Sequence, residues 1–253
     1  MEFALAASGS RGNATLIRAG NTTIMVDCGL SLKECERRLQ RLGLEFDDLD
    51  ALLITHEHGD HIAGAARLSE RCGFAPWASA GTRGAGHGRK LPEATQVFDS
   101  HAAFGVGDIH VTPVIVPHDA AEPTQFVFSD GNKRIAVVTD LGHSTPFLEQ
   151  ALSGLDGLVL ESNHDAQMLS EGAYPARLKR RVAGEYGHLS NAQTAMLLKS
   201  IDTSRLQRLA LAHLSEQNNT RALARASATA ALGCEADWIQ IATQDEGLNW
   251  QTV

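Results

Sequence analysis

The segment Thr55–His61 places three histidines and one aspartate within six positions, in the order His-x-His-x-Asp-His. Imidazole and carboxylate groups are ligands for zinc and other divalent first-row metals. At the end of a strand, His56 and His58 project to the same side because side chains alternate with a period of two. The chain then turns, so that Asp60 and His61 can face a second position nearby. The segment therefore predicts two ligands for each of two adjacent metal ions.

Three further ligands are predicted from residues that directly follow other strands. His118 is a third histidine for the first ion, Asp140 can bridge both ions, and His213 can complete the second site. Two divalent ions roughly 3.5–4 Å apart can bridge a water and lower its pKa towards neutrality. We expect Asp60 or Asp140 to orient the resulting nucleophile and His188 to assist departure of the leaving oxygen. The ligand set accepts zinc, manganese or iron.

A second set of polar residues is predicted to support this centre or to contact the substrate. A carboxylate near the site, Asp27, can accept an N–H from a ligand histidine and fix its tautomer. A loop of small residues can offer backbone N–H groups to a phosphate, and a glutamate at the end of an apolar strand can anchor a histidine. These residues are Ser8, Ser10 and Asn13 in the loop, Glu161 at the strand end, and the polar candidates His143, His164 and Ser190.

Strands and helices are interspersed along the whole chain, which predicts an α/β protein. Ser31 is the expected N-cap of a helix that Gly43 ends, and a single helix is predicted from about Asp60 to Cys72. The glycine-rich region from Pro76 to Gly107 reads as an irregular, mobile loop. Two sheets packed face to face with helices outside would suit the element order. Periodicity alone does not select that architecture.

The composition and net charge limit the classes of protein to which this chain can belong. The chain has 253 residues, 43% of them hydrophobic and 21% charged, with a formal net charge of −8. That charge argues against a protein that coats nucleic acid, because neutralisation of phosphate supplies most of the affinity of such binders. It does not exclude a nuclease, whose bound metals add positive charge. No apolar run approaches membrane-spanning length and no signal peptide is recognised, so a cytoplasmic protein with free cysteines is expected.

The motifs together resemble the metallo-β-lactamase superfamily. The resemblance rests on Thr55–His61 and on the later strings Pro117-His118, Thr139-Asp140 and Ala212-His213, whose order and spacing cover nearly the whole chain. It implies a four-layer αββα sandwich, expected here as a single domain over residues 1–253, with a dinuclear site at one edge. True β-lactamases typically have a cysteine at the position of Asp140 and are exported, so the aspartate here argues against antibiotic hydrolysis.

Four longer strings resemble the YycJ/WalJ-like subfamily, whose members are linked to DNA processing and to exonuclease activity from 5′ ends. They are Ala7–Asn13, Val116–Pro123, Leu160–Asp165 and Gly187–Asn191. The resemblance implies a DNA phosphodiesterase, and the basic run Arg177, Lys179, Arg180 and Arg181 could hold a polynucleotide backbone. Two alternatives stay open: a thioester or ester hydrolase of the glyoxalase II type, and a catalytically silent metal-binding module. The oligomeric state is left open.

Overall fold

The computed structural model describes residues 1–85 and 91–253. Within these residues, two seven-stranded mixed sheets form the centre of the fold. The first contains β1 (Glu2–Ala7), β2 (Ala14–Ala19), β3 (Thr22–Val26), β4 (Ala51–Leu53), β5 (Trp77–Ala78), β6 (Gln96–Val97) and β14 (Leu248–Thr252). The second contains β7 (Phe104–Val106), β8 (Ile109–Ile115), β9 (Thr124–Ser129), β10 (Arg134–Val138), β11 (Gly157–Glu161), β12 (Arg208–Ala212) and β13 (Ile239–Ile241). The strand orders are β14-β1-β2-β3-β4-β5-β6 and β13-β12-β11-β10-β9-β8-β7.

Helices connect the strands of both sheets, and several of them pack on the outer sheet faces. They are α1 (Leu32–Arg41), α2 (Gly59–Ile62), α3 (Ala65–Cys72), α4 (Ala80–Gly84), α5 (Pro146–Leu152), α6 (Ala166–Glu171), α7 (Ala176–Val182), α8 (Asn191–Ser200) and α9 (Arg221–Leu232), with 3₁₀ turns at Phe46–Asp48 and Ala236–Trp238. The first sheet shares an apolar cluster with α1 and α3, and the second with α5, α8 and α9. Among the described residues, no helix combines the length and the apolar character needed to span a bilayer.

Between the sheets lies an aromatic and aliphatic core. Phe3 and Leu5 of β1 pack in one cluster with Phe126 and Phe128 of β9. All four side chains are fully buried, and each phenylalanine of this size contributes a large share of the hydrophobic stabilisation. The layers are therefore stacked as helices, sheet, sheet and helices. This stacking confirms the predicted αββα sandwich.

Serine side chains cap the first turns of helices α1 and α8. The Ser31 hydroxyl accepts from the Glu34 backbone N–H at 3.3 Å, and Gly43 follows α1 with a φ of 74°. At α8, Ser190 and Gln193 form a reciprocal capping box, which satisfies two backbone donors that the helix leaves unpaired.

The single helix predicted from Asp60 to Cys72 is wrong, because the structure divides it into α2 and α3. Gly64 stands at the break and donates its N–H to the Cys28 carbonyl at 2.8 Å. A Cβ there would collide with the Leu30 carbonyl. Helix α2 therefore ends because of its contact with the loop that follows β3, and not because of helix propensity.

The irregular region predicted from Pro76 to Gly107 also contains more order than expected. It holds three short strands, β5 to β7, and helix α4. The Ser79 side chain caps α4 by accepting from the Thr82 N–H. Gly86, His87 and Gly88, which belonged to that prediction, lie outside the described residues.

Candidate metal centre

The parallel strands of the second sheet end side by side and deliver polar residues to one edge. β10, β11 and β12 pair in parallel register, so their carboxyl ends meet at that edge. Asp140 follows β10, Glu161 ends β11, and His213 follows β12. The segment after β4 and the residues after β8 reach the same place from the neighbouring strands.

The structure brings together the seven residues predicted to bind metal. The ligand atoms of His56, His58 and His118 lie within 4.8 Å of one another. A second group is formed by Asp60, His61 and His213 under the same limit.

Asp140 lies between these two groups. One of its carboxylate oxygens is 3.1 Å from His61 Nε2, and the other is 3.7 Å from His118 Nε2. One carboxylate therefore faces both groups of ligands.

Hydrogen bonds fix which nitrogen of each histidine faces the centre. His118 Nδ1 donates to the Gly187 carbonyl at 3.0 Å, so its Nε2 carries the inward lone pair. His58 is reversed, because its Nε2 donates to the Asp119 carbonyl at 3.1 Å and leaves Nδ1 inward. A carbonyl oxygen can only accept, so the tautomer of each ring is set by its outer partner.

A carboxylate–hydroxyl relay behind the centre holds the other two histidines of the Thr55–His61 segment. Asp27 accepts from the Thr55 N–H and hydroxyl, each at 2.8 Å, and from His61 Nδ1 at 2.8 Å. The Thr55 hydroxyl has donated its proton, so it accepts from His56 Nδ1 at 2.9 Å. Asp27 therefore lies where the sequence places it, behind a ligand histidine.

Glu161 anchors two histidines on the opposite side of the centre. Its Oε1 accepts from His188 Nδ1 at 2.7 Å and from His213 Nδ1 at 3.1 Å. Its Oε2 accepts from the backbone N–H groups of Leu141 and Leu189 at 3.0 Å each. Burial opposes protonation of His188, but the charge and hydrogen bond of Glu161, together with the Asp140 charge, raise the pKa of that imidazole above its ordinary value.

The residues present fit divalent cations. Both oxygens of Asp140 are buried and have no hydrogen-bond partner among the described residues, an arrangement that is unfavourable for a carboxylate in isolation. His56 Nε2 and His58 Nδ1, both lone-pair atoms, face each other at 3.0 Å. Burial, followed by the nearby His61, lowers the pKa of His56 well below its ordinary value, which favours the neutral, ligating form. Nitrogen and oxygen donors of this kind suit zinc or manganese.

The small-residue loop supports the centre and does not form the phosphate cradle predicted for it. The Ser8 hydroxyl accepts from the His213 N–H at 2.7 Å, and Asn13 Nδ2 lies 3.1 Å from His61 Nε2. The backbone N–H groups of residues 8, 9 and 11–13 all donate within the protein. Ser10 is the predicted loop residue that lines the cavity above the centre.

Three predicted residues lie away from the ligands. His143 is held on the surface by the Glu185 carbonyl at 2.8 Å. His164 is 2% exposed and lines a different cavity, next to α6 and α7. Ser190 serves as the N-cap of α8. His101 and His110 are exposed.

Sequence reasoning missed Thr55 and Asp119. Thr55 is adjacent to the motif, and its hydroxyl links Asp27 to His56. Asp119 Oδ1 lies 3.6 Å from His58 Nε2 and 3.5 Å from His118 Nε2. Its place directly after His118 was the available signal.

Comparisons with known proteins give the family. A model described as the metallo-beta-lactamase superfamily matches residues 7–184. The chain belongs to the metallo-β-lactamase superfamily. Its predicted class, a metal-dependent hydrolase, is confirmed by this membership and by its relatives.

Relatives in this superfamily match over most of the chain. An exodeoxyribonuclease YycJ of Bacillus anthracis is 34% identical over 92% of this chain and 89% of its own length. An exodeoxyribonuclease WalJ of Streptococcus pneumoniae is 33% identical over 88% and 85%, respectively. The predicted resemblance to the YycJ/WalJ-like proteins is confirmed.

Solved structures confirm the fold. The metallo-beta-lactamase fold protein YhfI from Bacillus subtilis superposes with a TM-score of 0.74 at 15% identity, covering 99% of both chains. Zn²⁺-bound PqqB from Methylobacterium extorquens gives a TM-score of 0.72 at 17% identity, covering 100% of both chains. At such identities the likeness concerns the fold alone.

Proposed function

We propose that this protein is a phosphodiesterase that uses two divalent metal ions to degrade DNA from 5′ ends. In this proposal His56, His58 and His118 hold one ion, and Asp60, His61 and His213 hold the other. Asp140 would supply a ligand to both. Zinc and manganese are the favoured ions, and iron also suits the ligands.

The observation that carries the proposal is the position of Asp140. A single buried carboxylate, with neither oxygen hydrogen-bonded among the described residues, separates two groups of three ligands. Such a geometry is typical of centres that hold two ions and cleave phosphate esters. The relatives named exodeoxyribonuclease, similar along about nine-tenths of the chain, support DNA as the substrate.

The bound ions would supply Lewis acidity and make water a nucleophile at neutral pH. The chain supplies positioning and proton transfer. Asp60, whose side chain is 22% exposed, faces the cavity and can orient the attacking water. Glu161 holds His188 through Nδ1, which leaves Nε2 to donate a proton to the leaving oxygen. Leu178 and Val182 contribute an apolar part of the cavity wall.

The direct test offers the purified protein, loaded with zinc or with manganese, two kinds of substrate. One is end-labelled DNA, single-stranded and duplex, and the other is S-lactoylglutathione. We expect nucleotides to be released progressively from 5′ ends and no thioester turnover. Hydrolysis of the thioester alone would reject the proposal in favour of a glyoxalase II type of activity. An inactive protein with full metal content would support a silent metal-binding module.

Two aspartate variants give a matched comparison. Asp60→Ala should abolish DNA degradation while the protein stays folded, because it removes a metal ligand and the proposed water-orienting group. Asp237→Ala changes an exposed aspartate in a 3₁₀ turn outside the cavity and should leave activity unchanged. Metal analysis should give two ions per chain for the wild type and fewer for Asp60→Ala.

A further inference from the structure

A cavity of about 320 Å³ opens above the predicted metal ligands. His58, Asp140 and His213 lie in its lining, together with Leu178 and Arg181 of α7. Its volume is at the lower end of the roughly 300–1,000 Å³ of small-molecule sites. The cavity is thus of a size for a small group such as the end of one strand.

Arg181 is held at this cavity by a two-pronged ion pair. Its Nε donates to Asp119 Oδ2 at 2.6 Å, and its Nη2 donates to Oδ1 at 3.2 Å. The arginine side chain is nevertheless 54% exposed. Within residues 1–85 and 91–253, its Nη1 has no hydrogen-bond partner. Two donors are therefore fixed by Asp119 while others stay free to bind a ligand.

Asp119 places this guanidinium directly beside the centre. The same carboxylate that grips Arg181 lies within 3.6 Å of His58 Nε2 and 3.5 Å of His118 Nε2. The His58 ring in turn donates to the Asp119 backbone carbonyl. Asp119 is thus held to His58 through its backbone carbonyl and to Arg181 through its carboxylate. These two contacts restrict movement of Arg181 relative to the histidines.

We propose that Arg181 binds a non-bridging oxygen of the DNA phosphate that enters the cavity, and that Asp119 is its positioning residue. The inference rests on the proposed function and extends it to a substrate contact. Guanidinium groups match phosphate oxygens in geometry and stay charged at every working pH. Among the described residues that line this cavity, Arg181 is the one with a permanent positive charge.

The chain contains a matched control on the same helix. The structure divides the basic run that the sequence offered for a polynucleotide: Arg181 lines the cavity above the metal ligands, whereas Arg180 is exposed and lines a different cavity with His164 and Lys179. Replacing Arg180 removes the same charge from the same helix without touching the cavity above the metal ligands.

The test is equilibrium binding of the metal-loaded protein to a fluorescent single-stranded oligonucleotide with phosphonate linkages, in which a methylene group replaces the bridging oxygen that would leave; these linkages resist cleavage and keep both non-bridging oxygens. Fluorescence anisotropy is measured over a series of salt concentrations for the wild type, Arg181→Ala, Arg181→Lys and Arg180→Ala. We expect Arg181→Ala to weaken binding on the order of ten-fold or more. It should also lower the slope of log affinity against log salt by about 0.7, the value for one phosphate contact on a single strand. Arg181→Lys should be intermediate, and Arg180→Ala should stay close to the wild type.

The positioning role of Asp119 is tested by a double-mutant cycle. Asp119→Asn should weaken DNA binding in the wild-type background and have little further effect in Arg181→Ala, because Asp119 acts through Arg181. Metal content is measured for each variant, since Asp119 lies beside His58. Equal effects of Asp119→Asn in both backgrounds would overturn the positioning role.

Wild-type affinity of Arg181→Ala for DNA, or a loss of affinity equal to that of Arg180→Ala, would overturn the phosphate contact. Neither result would contradict the proposed function, which is DNA degradation. A wild-type protein that neither binds nor degrades DNA would instead reject the proposed function, and this inference with it.

Discussion

Gly142→Ala should slow turnover strongly, although Gly142 is not itself a predicted metal ligand. Gly142 packs against the backbone of the segment that leads to His188. A Cβ at this glycine would stand 2.7 Å from the Tyr186 Cα, with the Glu185 carbonyl closer still. Ordinary van der Waals contact begins at 3.4 Å, so the segment must retreat by about 0.7 Å or more, since a backbone atom cannot rotate away as a side chain can.

That retreat would disturb two predicted active-site residues. Gly187 holds the tautomer of His118 through its carbonyl at 3.0 Å, and His188 follows it directly. Because a displacement of about 1 Å can lower turnover about 100-fold, we expect kcat on DNA to fall roughly 10- to 100-fold. The melting temperature should change little, because the affected segment lies outside the sheet core.

The assay is single-turnover DNA degradation, with metal content and thermal melting measured on the same samples. Gly105→Ala is the control, because a Cβ at Gly105 meets nothing within 4 Å and its φ is not in the left-handed region. Wild-type turnover in Gly142→Ala would refute the claim that this backbone contact positions the proton donor.

Three further predictions concern stability. Zinc or manganese should raise the melting temperature by mass action, and Asp140→Asn should largely remove that rise; a full rise in the variant would contradict the bridging role. Thr55→Val removes a donor from buried Asp27 and should lower the free energy of unfolding in urea by about 1–3 kcal/mol; an unchanged transition midpoint would show that the hydroxyl is dispensable. The hydrogen bond from Arg37, followed by that from Arg38, lowers the pKa of Glu34 from 4.5 to about 2, so its folded pKa lies below its unfolded one. The stabilisation is therefore present above about pH 4.5 and lost as the pH falls towards 2, and melting curves should show Glu34→Gln flattening the acid limb of stability against pH.

The ligand pattern could be predicted because its members either lie close in sequence or directly follow strands. His56 to His61 form one continuous string, and Asp140 and His213 each come within two residues of the end of a buried strand. Parallel strands bring such positions to one edge whatever the details of packing. The sandwich itself came from resemblance to a family, since alternation of strands and helices is compatible with several architectures.

Contacts between distant segments could not be predicted in the same way. Arg181 and Asp119 are 62 positions apart, and no local pattern links an arginine on a short helix to a residue after β8. Gly64 ends α2 only because the chain after β3 occupies the space beside it. The short strands β5 and β6 contain two residues each, too few for a period-two signal to emerge.

The centre also holds backbone conformations that are unfavourable without tertiary support. Among the described residues, the non-glycine positions with positive φ are Asp27, at 61°, and His213, at 53°. Such conformations are costly and cluster at functional sites. Asp27 is restrained by its Thr55 and His61 contacts, and His213 by Ser8 and Glu161. The protein therefore holds its predicted ligands in place by a dense hydrogen-bonded shell behind them, while Asp140, in front, has no such partner in the described structure. Stabilisation by bound metal should then act mainly through Asp140, which is why that residue, more than any single histidine, should couple metal binding to the stability of the fold.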